Sequence, residues 1–433
     1  MSDFSSTNVL ILLGGTSSRC WPLRDKMLFP IGGKTVLEHQ IDRLISVGFT
    51  NITLVAGHHN IELAKSIFPQ YEVLLQDNDL GTRGALLDSL SKFDDTPVLM
   101  LSSSDIVEAQ LYVDVVKKGQ EEGVDGVIVG QERTEYFPGG YLCIDGERVT
   151  ALHEAPPKGK EPSDMVHILI HYYHDASDIL DILESVPDNS PNGFAEAQNI
   201  FYNDRNFHYV RYTGAWQAIK YPWFLLDALE YYQHDHTTPQ IDPSAEIHEN
   251  AVIEGGVVIE AGVKILAGAI VRGPCTIGKN TVIGHGTLIR QSSIGKECVI
   301  GHSTEIARSI IGDHCWTHKN YIGDSILGHN VVMGAGSITT NLRLDAKEVT
   351  SMVKGQTLST NRIKLGTVIG NNTRLGTHVT IEPGVKIGRD CLVQPKAHLT
   401  HDIPDNKAVG VQQGNITISE LNTKNLPDLQ TDA

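Results

Sequence analysis

Two cations stand seven residues apart behind a glycine pair: Arg19 and Lys26 follow Gly14-Gly15, and Gly32-Gly33-Lys34 comes soon after. Polyphosphate binding calls for such a set, with backbone N–H groups freed by a tight turn and fixed positive charge beside them. A Gly-Gly pair after a strand is also what an ordinary β-to-α turn carries, so the cations tip the reading toward a triphosphate cradle. Gln76 is a second candidate, because a side-chain amide offers a donor and an acceptor to the edge of a base. Its surroundings, Leu80-Gly81-Thr82, read equally as a loop closed by glycine before an amphipathic helix. Asp105 is a third. A carboxylate just beyond a buried apolar run can hold Mg2+ together with substrate phosphates, or can simply cap the next helix.

These residues need a scaffold that brings distant loops together. Val9 to Leu13 has the length and composition of a buried parallel strand, and Thr35 to Val47 has helical spacing with Leu37, Ile41 and Leu44 on one face. Strands follow at Ile52–Ala56, Val73–Gln76, Val98–Leu101 and Val127–Val129, with helical segments at Ile61–Ile67 and Gln110–Lys118. This alternation predicts an α/β domain, Rossmann-like, with a mostly parallel sheet covered on both faces. Ligands on such sheets bind at the carboxyl ends of strands, where loops 14–26, 76–84 and 103–106 should converge.

Length and composition narrow the rest. A chain of 433 residues predicts two or three domains. A net charge of −17 argues against a nucleic-acid or anionic-membrane surface, so any nucleotide must meet local cations. No apolar run reaches the ~20 residues of a spanning helix, and no signal pattern opens the chain. The six cysteines are scattered, which suits reduced core thiols in a cytoplasmic protein.

Residues 233–240 form a polar segment ended by Pro239 and are expected to link two domains, 1–232 and 241–401. His234-Asp235-His236 within it is a metal-site possibility, weighed against a solvated linker that gathers no further ligands. The periodicity then changes to six. Positions 241, 247, 253, 259, 265, 271, 277, 283 and 289 are all Ile or Val, and the pattern continues with one phase shift to Met333 and resumes from Ile369 to Leu399. Such a repeat builds a parallel β-helix whose short strands turn corners at Gly, Asn and Asp. Polar residues on its inner ladders would be costly. The excursion from Thr339 to about Lys364 interrupts the coil and is expected to be functional. After Leu399 the tail, 402–433, should cap the open end and then lose order.

The glycine turn, Arg19 and Lys26 resemble the opening of sugar-1-phosphate nucleotidylyltransferases, and their spacing is similar to the uridylyltransferases that make UDP-N-acetylglucosamine. That resemblance implies nucleotide contacts from Gly14, Gly15, Gln76, Gly81 and Thr82, and a metal ligand in Asp105. It also implies sugar contacts from Gly140, in Gly139-Gly140-Tyr141, and from Glu154, near Lys158. Several positions differ from the family pattern: Ser17, Ser18, Asp25 and Ser104 replace Gly, Thr, Pro and Gly. Trp216-Gln217-Ala218-Ile219 stands for Trp-x-Asp-Ile, so Ala218 takes the place of a second metal ligand. A Ser at a position needing positive φ would reshape the loop. His167-Ile168-Leu169-Ile170-His171 replaces an expected Asn-x-Gly, and its histidines alternate with apolar residues as on the polar face of a strand.

The second half resembles the acetyltransferase half of bacterial and archaeal bifunctional UDP-N-acetylglucosamine synthases, through His318 to Asp324, Gly334 to Asn341, and Lys347. The resemblance gives the coil its left hand and makes His318 the general base for a glucosamine amine. Tyr321, Asn341, Lys347 and Arg290 would hold the sugar phosphate, with acetyl-CoA between subunits of a homotrimer. Ala307 and Val332 replace a phosphate-binding Lys and a sugar-contacting Asn. The leading expectation is sugar-nucleotide biosynthesis: uridylyl transfer from UTP, or another NTP, to a sugar 1-phosphate with Mg2+ and release of pyrophosphate, plus acetyl-CoA-dependent N-acetylation of glucosamine 1-phosphate. The rival is a regulatory or scaffolding paralogue that has lost nucleotidyl transfer and keeps at most the acetyltransferase.

Overall fold

In the computed structural model, β1 (Asn8–Leu12) pairs in parallel on both sides, as an apolar run lacking polar alternation should. The structure describes residues 4, 6–93, 95–190, 192–412 and 415–420. The chain divides into two compact units, Met1–Thr16 with Val36–Ala218, and Ser17–Thr35 with Ile219–Ala433.

The first unit is a sheet flanked by helices. In chain order its elements are β1, α1 (Val36–Ser46), β2 (Ile52–Gly57), α2 (Ile61–Ile67), β3 (Glu72–Gln76), α3 (Gly81–Leu87), β4 (Val98–Ser102), β5 (Asp105–Ile106) and α4 (Ala109–Gly119). There follow β6 (Gly126–Glu132), β7 (Tyr141–Asp145), β8 (Arg148–His153), β9 (Met165–Tyr173), α5 (Ala176–Ser185), α6 (Gly193–Asp204), β10 (Phe207–Arg211) and β11 (Gln217–Ala218). The main sheet runs β3-β2-β1-β4-β9-β6-β10-β8-β7. Strands β3, β2, β1 and β4 are mutually parallel, so their carboxyl ends share one edge. The expected face of α1 is the buried one, with Leu37, Ile41 and Leu44 against the core.

One expectation fails here. His167 and His171 do not lie on a polar face; both are buried in β9, which runs antiparallel between β4 and β6 in mid-sheet. A strand covered on both faces has no solvent side, so its polar residues must find partners inside.

The second unit is a left-handed parallel β-helix with three ladders. Ile241, Ile259, Ile277, Ile294, Ile311, Leu327, Ile369 and Ile387 stack in register on one of them. The step shortens from 18 residues to 17 between Ile277 and Ile294, which is the phase shift seen in the repeat. Each fully buried isoleucine contributes about 1.5–3 kcal/mol. Two ladder positions are polar. Thr339 accepts from the Gly323 N–H and Ser325 hydroxyl, 3.0 Å each, whereas the buried Thr317 hydroxyl finds no partner among the described residues. The excursion leaves the coil between Thr339 and Val368 and carries a hairpin, β12 (Thr350–Val353) with β13 (Gln356–Ser359).

Ser17–Thr35 also belongs to this unit. Ser17 is left-handed, at φ 51°, where the family residue would be glycine. Pro30–Ile31 pairs with Lys34–Thr35 across Gly32 and Gly33, both at positive φ, making a two-residue hairpin turn. The Gly32 N–H donates to Ser293 Oγ at 2.8 Å, so this glycine pair serves a turn seated on the coil. Trp21 Nε1 donates to Asp405 Oδ1 at 2.9 Å, and Phe29 meets the ring of His329. After Leu399 the coil does not thin out at once: β14 (Lys407–Gln412) joins the second ladder and pairs with β15 (Asn415–Glu420). The expected loss of order further on falls at 421–433, outside the described residues.

Candidate functional site

At the carboxyl edge of the first unit, the glycine turn and the amide come together. Gln76 Oε1 packs so closely on Gly14 that a Cβ there would sit 2.2 Å from it. Gln76 Nε2 donates to Asn78 O and Gly81 O, 3.0 Å each, so this amide braces its own loop. Gly81 is at φ 62°, and a Cβ on Gly84 would collide with Asn78 Oδ1 at 1.8 Å. Thr82 follows on α3, half-buried. Gly15 is exposed, with open space around its Cα. Behind Gly14, Asn60 Nδ2 donates to Leu13 O at 3.0 Å, and Ser103 binds Leu12 O through both N–H and hydroxyl. Loop 76–84 and the start of loop 103–106 thus meet the end of β1 as expected. Arg19 and Lys26 lie in the second unit; Arg19 is exposed, and the Lys26 ammonium donates to Ile219 O.

Asp105 opens β5, and its cross-strand partner in β11 is Ala218. The Trp216 indole donates to Asp105 Oδ1 at 2.8 Å, and both residues are buried. Among the described residues no group of three His, Cys, Asp or Glu side chains gathers to hold a metal. One carboxylate, with one oxygen already engaged by an indole and an alanine facing it, does not fit a resident magnesium ion.

On the sugar side, Gly140 is where three side chains crowd. A Cβ there would meet Leu152 Cδ1 at 2.8 Å, Glu154 Oε2 at 3.1 Å and His167 Nδ1 at 3.2 Å. Glu154 is exposed. His167 Nε2 lies 2.8 Å from His171 Nε2, His171 Nδ1 lies 3.1 Å from the Tyr173 hydroxyl, and Gln198 Nε2 donates to that hydroxyl at 2.9 Å. Burial, reinforced by the His167 charge, holds the His171 imidazole well below its ordinary pKa. Tyr173 is pushed far up by the same burial. This buried chain of hydrogen bonds has no signature in the sequence beyond polar letters in a strand.

In the second unit, the predicted acyl-transfer residues lie along one ladder (Arg290, Tyr321), at its corners (His318, Asn341) and on the excursion (Lys347). His318 sits at the corner between Trp316–Thr317 and Tyr321–Gly323, with its ring 5.4 Å from that of Trp316. Its N–H is capped by Asn320 Oδ1, and Asn320 Nδ2 donates to Gly334 O at 2.9 Å and Ser337 O at 3.0 Å, which fixes the corner. Asn341 Nδ2 donates to the Tyr321 hydroxyl at 3.2 Å and to Asp324. Asp324, almost fully buried, also takes both arms of Arg308, 2.7 Å each. This bond raises the Arg308 pKa further. Arg290 is paired with Glu305 at 2.7 and 3.2 Å. Lys347 is exposed on the excursion, its N–H on Asp345, which the Arg343 guanidinium holds well below the carboxylate range. Tyr321, Asn341 and the Arg308–Asp324 pair form one contact set, while Arg290 and Lys347 each make separate ones. The resemblance assigned roles to Tyr321 and Asn341; that Asp324, the last residue of the matching run, ties Asn341 to Arg308 is seen only in the structure.

Residues 9–241 match the MobA-like NTP transferase domain family, 236–358 the GMPPB C-terminal domain, and 366–401 six bacterial transferase hexapeptide repeats. A "bifunctional sugar-1-phosphate nucleotidylyltransferase/acetyltransferase" of Sulfurisphaera tokodaii is 30% identical over 416 residues, 91% of this chain and 97% of that one. A "bifunctional protein GlmU" of Methanococcus maripaludis strain C7 is 31% identical over 93% of this chain and 97% of its own. Its namesake from Methanocaldococcus jannaschii is 28% identical over the same shares.

Proposed function

The chain belongs to the bifunctional sugar-1-phosphate nucleotidylyltransferase/acetyltransferase family, and from that premise we propose that it makes a nucleotide sugar in two steps. In residues 241–401, His318 takes a proton from the amine of glucosamine 1-phosphate while the nitrogen attacks the acetyl-CoA thioester carbon. The C–S bond breaks and the thiolate leaves. Tyr321 and Asn341 orient the sugar, and Arg290, Arg308 and Lys347 meet its phosphate. In residues 1–232, a phosphate oxygen of the N-acetylated sugar 1-phosphate attacks the α-phosphorus of UTP and pyrophosphate departs. Gly14, Gly15, Gln76, Gly81 and Thr82 serve the nucleotide, Gly140 and Glu154 the sugar, and Arg19 and Lys26 counter the developing charge. The working form is a cytoplasmic homotrimer, with acetyl-CoA held between coils.

The observations that carry the acetyl half are the linked set Tyr321, Asn341, Asp324 and Arg308 and, three residues before Tyr321 in the chain, a His318 corner fixed by Asn320. Thiol release from acetyl-CoA with glucosamine 1-phosphate tests it. His318→Ala should slow release about 10²–10⁴-fold with the fold intact; an unchanged rate removes His318 as the base. A second reading, a first half that binds sugar nucleotides without turning them over, is favoured by Ala218 facing Asp105.

A further inference from the structure

Arg133 follows β6 in a loop whose backbone is fixed, its N–H donating to Asp164 O at 2.9 Å. Its guanidinium carbon lies 4.9 Å from the centre of the Trp216 ring and 6.0 Å from that of Phe137, and the two rings are 4.8 Å apart. Trp216 is itself held by hydrogen bonds on both sides. Its indole N–H is spent on Asp105, and its loop is tied down by Gln131 Nε2 on Gly214 O at 2.9 Å and the Tyr212 hydroxyl on Ala215 O at 2.7 Å.

What Arg133 lacks is an anion. Its Nε is buried without a hydrogen-bond partner, and among the described residues its guanidinium makes no ion pair. Burial presses its pKa downward, yet a guanidinium stays charged in any protein. Stacking on an indole offsets, in order of magnitude, what an unpaired buried N–H costs. In a chain of net charge −17, carboxylates are plentiful. A cation held on two rings with no carboxylate across from it is shaped for a ligand. Arginine's planar fork takes two oxygens of one phosphate at once.

We propose that Arg133, carried on the Trp216 indole beside Asp105, binds a phosphate group of the substrate in the first half of the chain. This rests on the reading that the first half handles sugar 1-phosphates and nucleoside triphosphates, and it names a cation for that chemistry within the first unit. The same group could come from the sugar 1-phosphate or from the polyphosphate of the nucleotide, and the experiment separates the two.

The full chain, as wild type, Arg133→Met and Arg133→Lys, is titrated calorimetrically with N-acetylglucosamine 1-phosphate, UTP and inorganic pyrophosphate. Pyrophosphate release is assayed alongside, and heat-unfolding midpoints confirm the fold. At least a tenfold weakening in Arg133→Met, partly restored in Arg133→Lys, is expected. Weakening confined to the sugar phosphate assigns Arg133 to the acceptor; weakening confined to UTP and pyrophosphate assigns it to the nucleotide. Wild-type affinity for all three ligands in Arg133→Met overturns the proposal, as does a wild type that binds none of them at millimolar concentration. Phosphate binding lost in Arg133→Met without turnover in the wild type upholds the site and sinks the nucleotidyl reading. Turnover untouched by the substitution does the reverse.

Discussion

Ala218 and Asp105 face each other as antiparallel cross-strand partners. The backbone that would bring a second carboxylate to Asp105 is present, and only the side chain is missing. The Trp216 indole takes up part of the acceptor capacity that a metal would have used.

Restoring that side chain is the first prediction. In Ala218→Asp, two carboxylates directly opposite each other should repel and lower stability by up to about 1 kcal/mol in metal-free buffer. Millimolar Mg2+ or Mn2+ should recover the loss and leave the wild type unmoved. Thermal unfolding with and without metal reads both; equal metal responses in the two proteins would refute the pairing argument.

His171 sets a pH dependence. Its pKa in the folded chain is depressed from 6.5 by burial, so below that value the unfolded chain binds a proton that the folded one refuses. Stability should fall as pH drops from about 7 toward 5. His171→Gln, which cannot titrate, should flatten that slope relative to wild type in urea unfolding. Parallel slopes would show that the buried pair is not the cause.

The Arg308–Asp324 pair is the third case. Arg308→Met strands a buried carboxylate and should destabilise the coil by about 3 kcal/mol, whereas Arg308→Met with Asp324→Asn should recover most of that loss. Asp324→Asn alone should also loosen Asn341 and raise the KM for glucosamine 1-phosphate. Additive unfolding energies across this cycle would mean the pair is not coupled.

The segment bearing Arg19 and Lys26 yields a fourth. Asp405 accepts from the Trp21 indole and from Arg389, and the buried Lys386 lies 5.0 Å from the centre of the Trp21 ring while binding Met352 O and Asp402. Asp405→Ala should therefore expose Trp21, shifting its fluorescence to the red and opening Ser17–Thr35 to protease. An unchanged spectrum and cleavage pattern would contradict this docking.

How far the sequence could be read follows from these examples. The coil was legible from 241 to 399, because nearly every turn repeats one aliphatic position per strand, whereas its hand came from the resemblance and its extension by Lys407–Gln412 was not foreseen. The parallel strands were legible too, as apolar runs lacking polar alternation. The bond from Trp21 to Asp405 spans 384 residues, and no local pattern announces it. His167 and His171 looked solvent-facing because alternation cannot distinguish a wet face from a buried hydrogen-bonded chain. Arg133 lies in no motif, and its isolation from anions is a property of three dimensions only.

One chain that performs both transfers must carry an amino sugar phosphate through to a nucleotide sugar unaided. The most direct measurement supplies glucosamine 1-phosphate, acetyl-CoA and UTP together and counts products over time. Coenzyme A, pyrophosphate and UDP-N-acetylglucosamine should rise in equal amounts. Coenzyme A released with no pyrophosphate, or neither released, would contradict it.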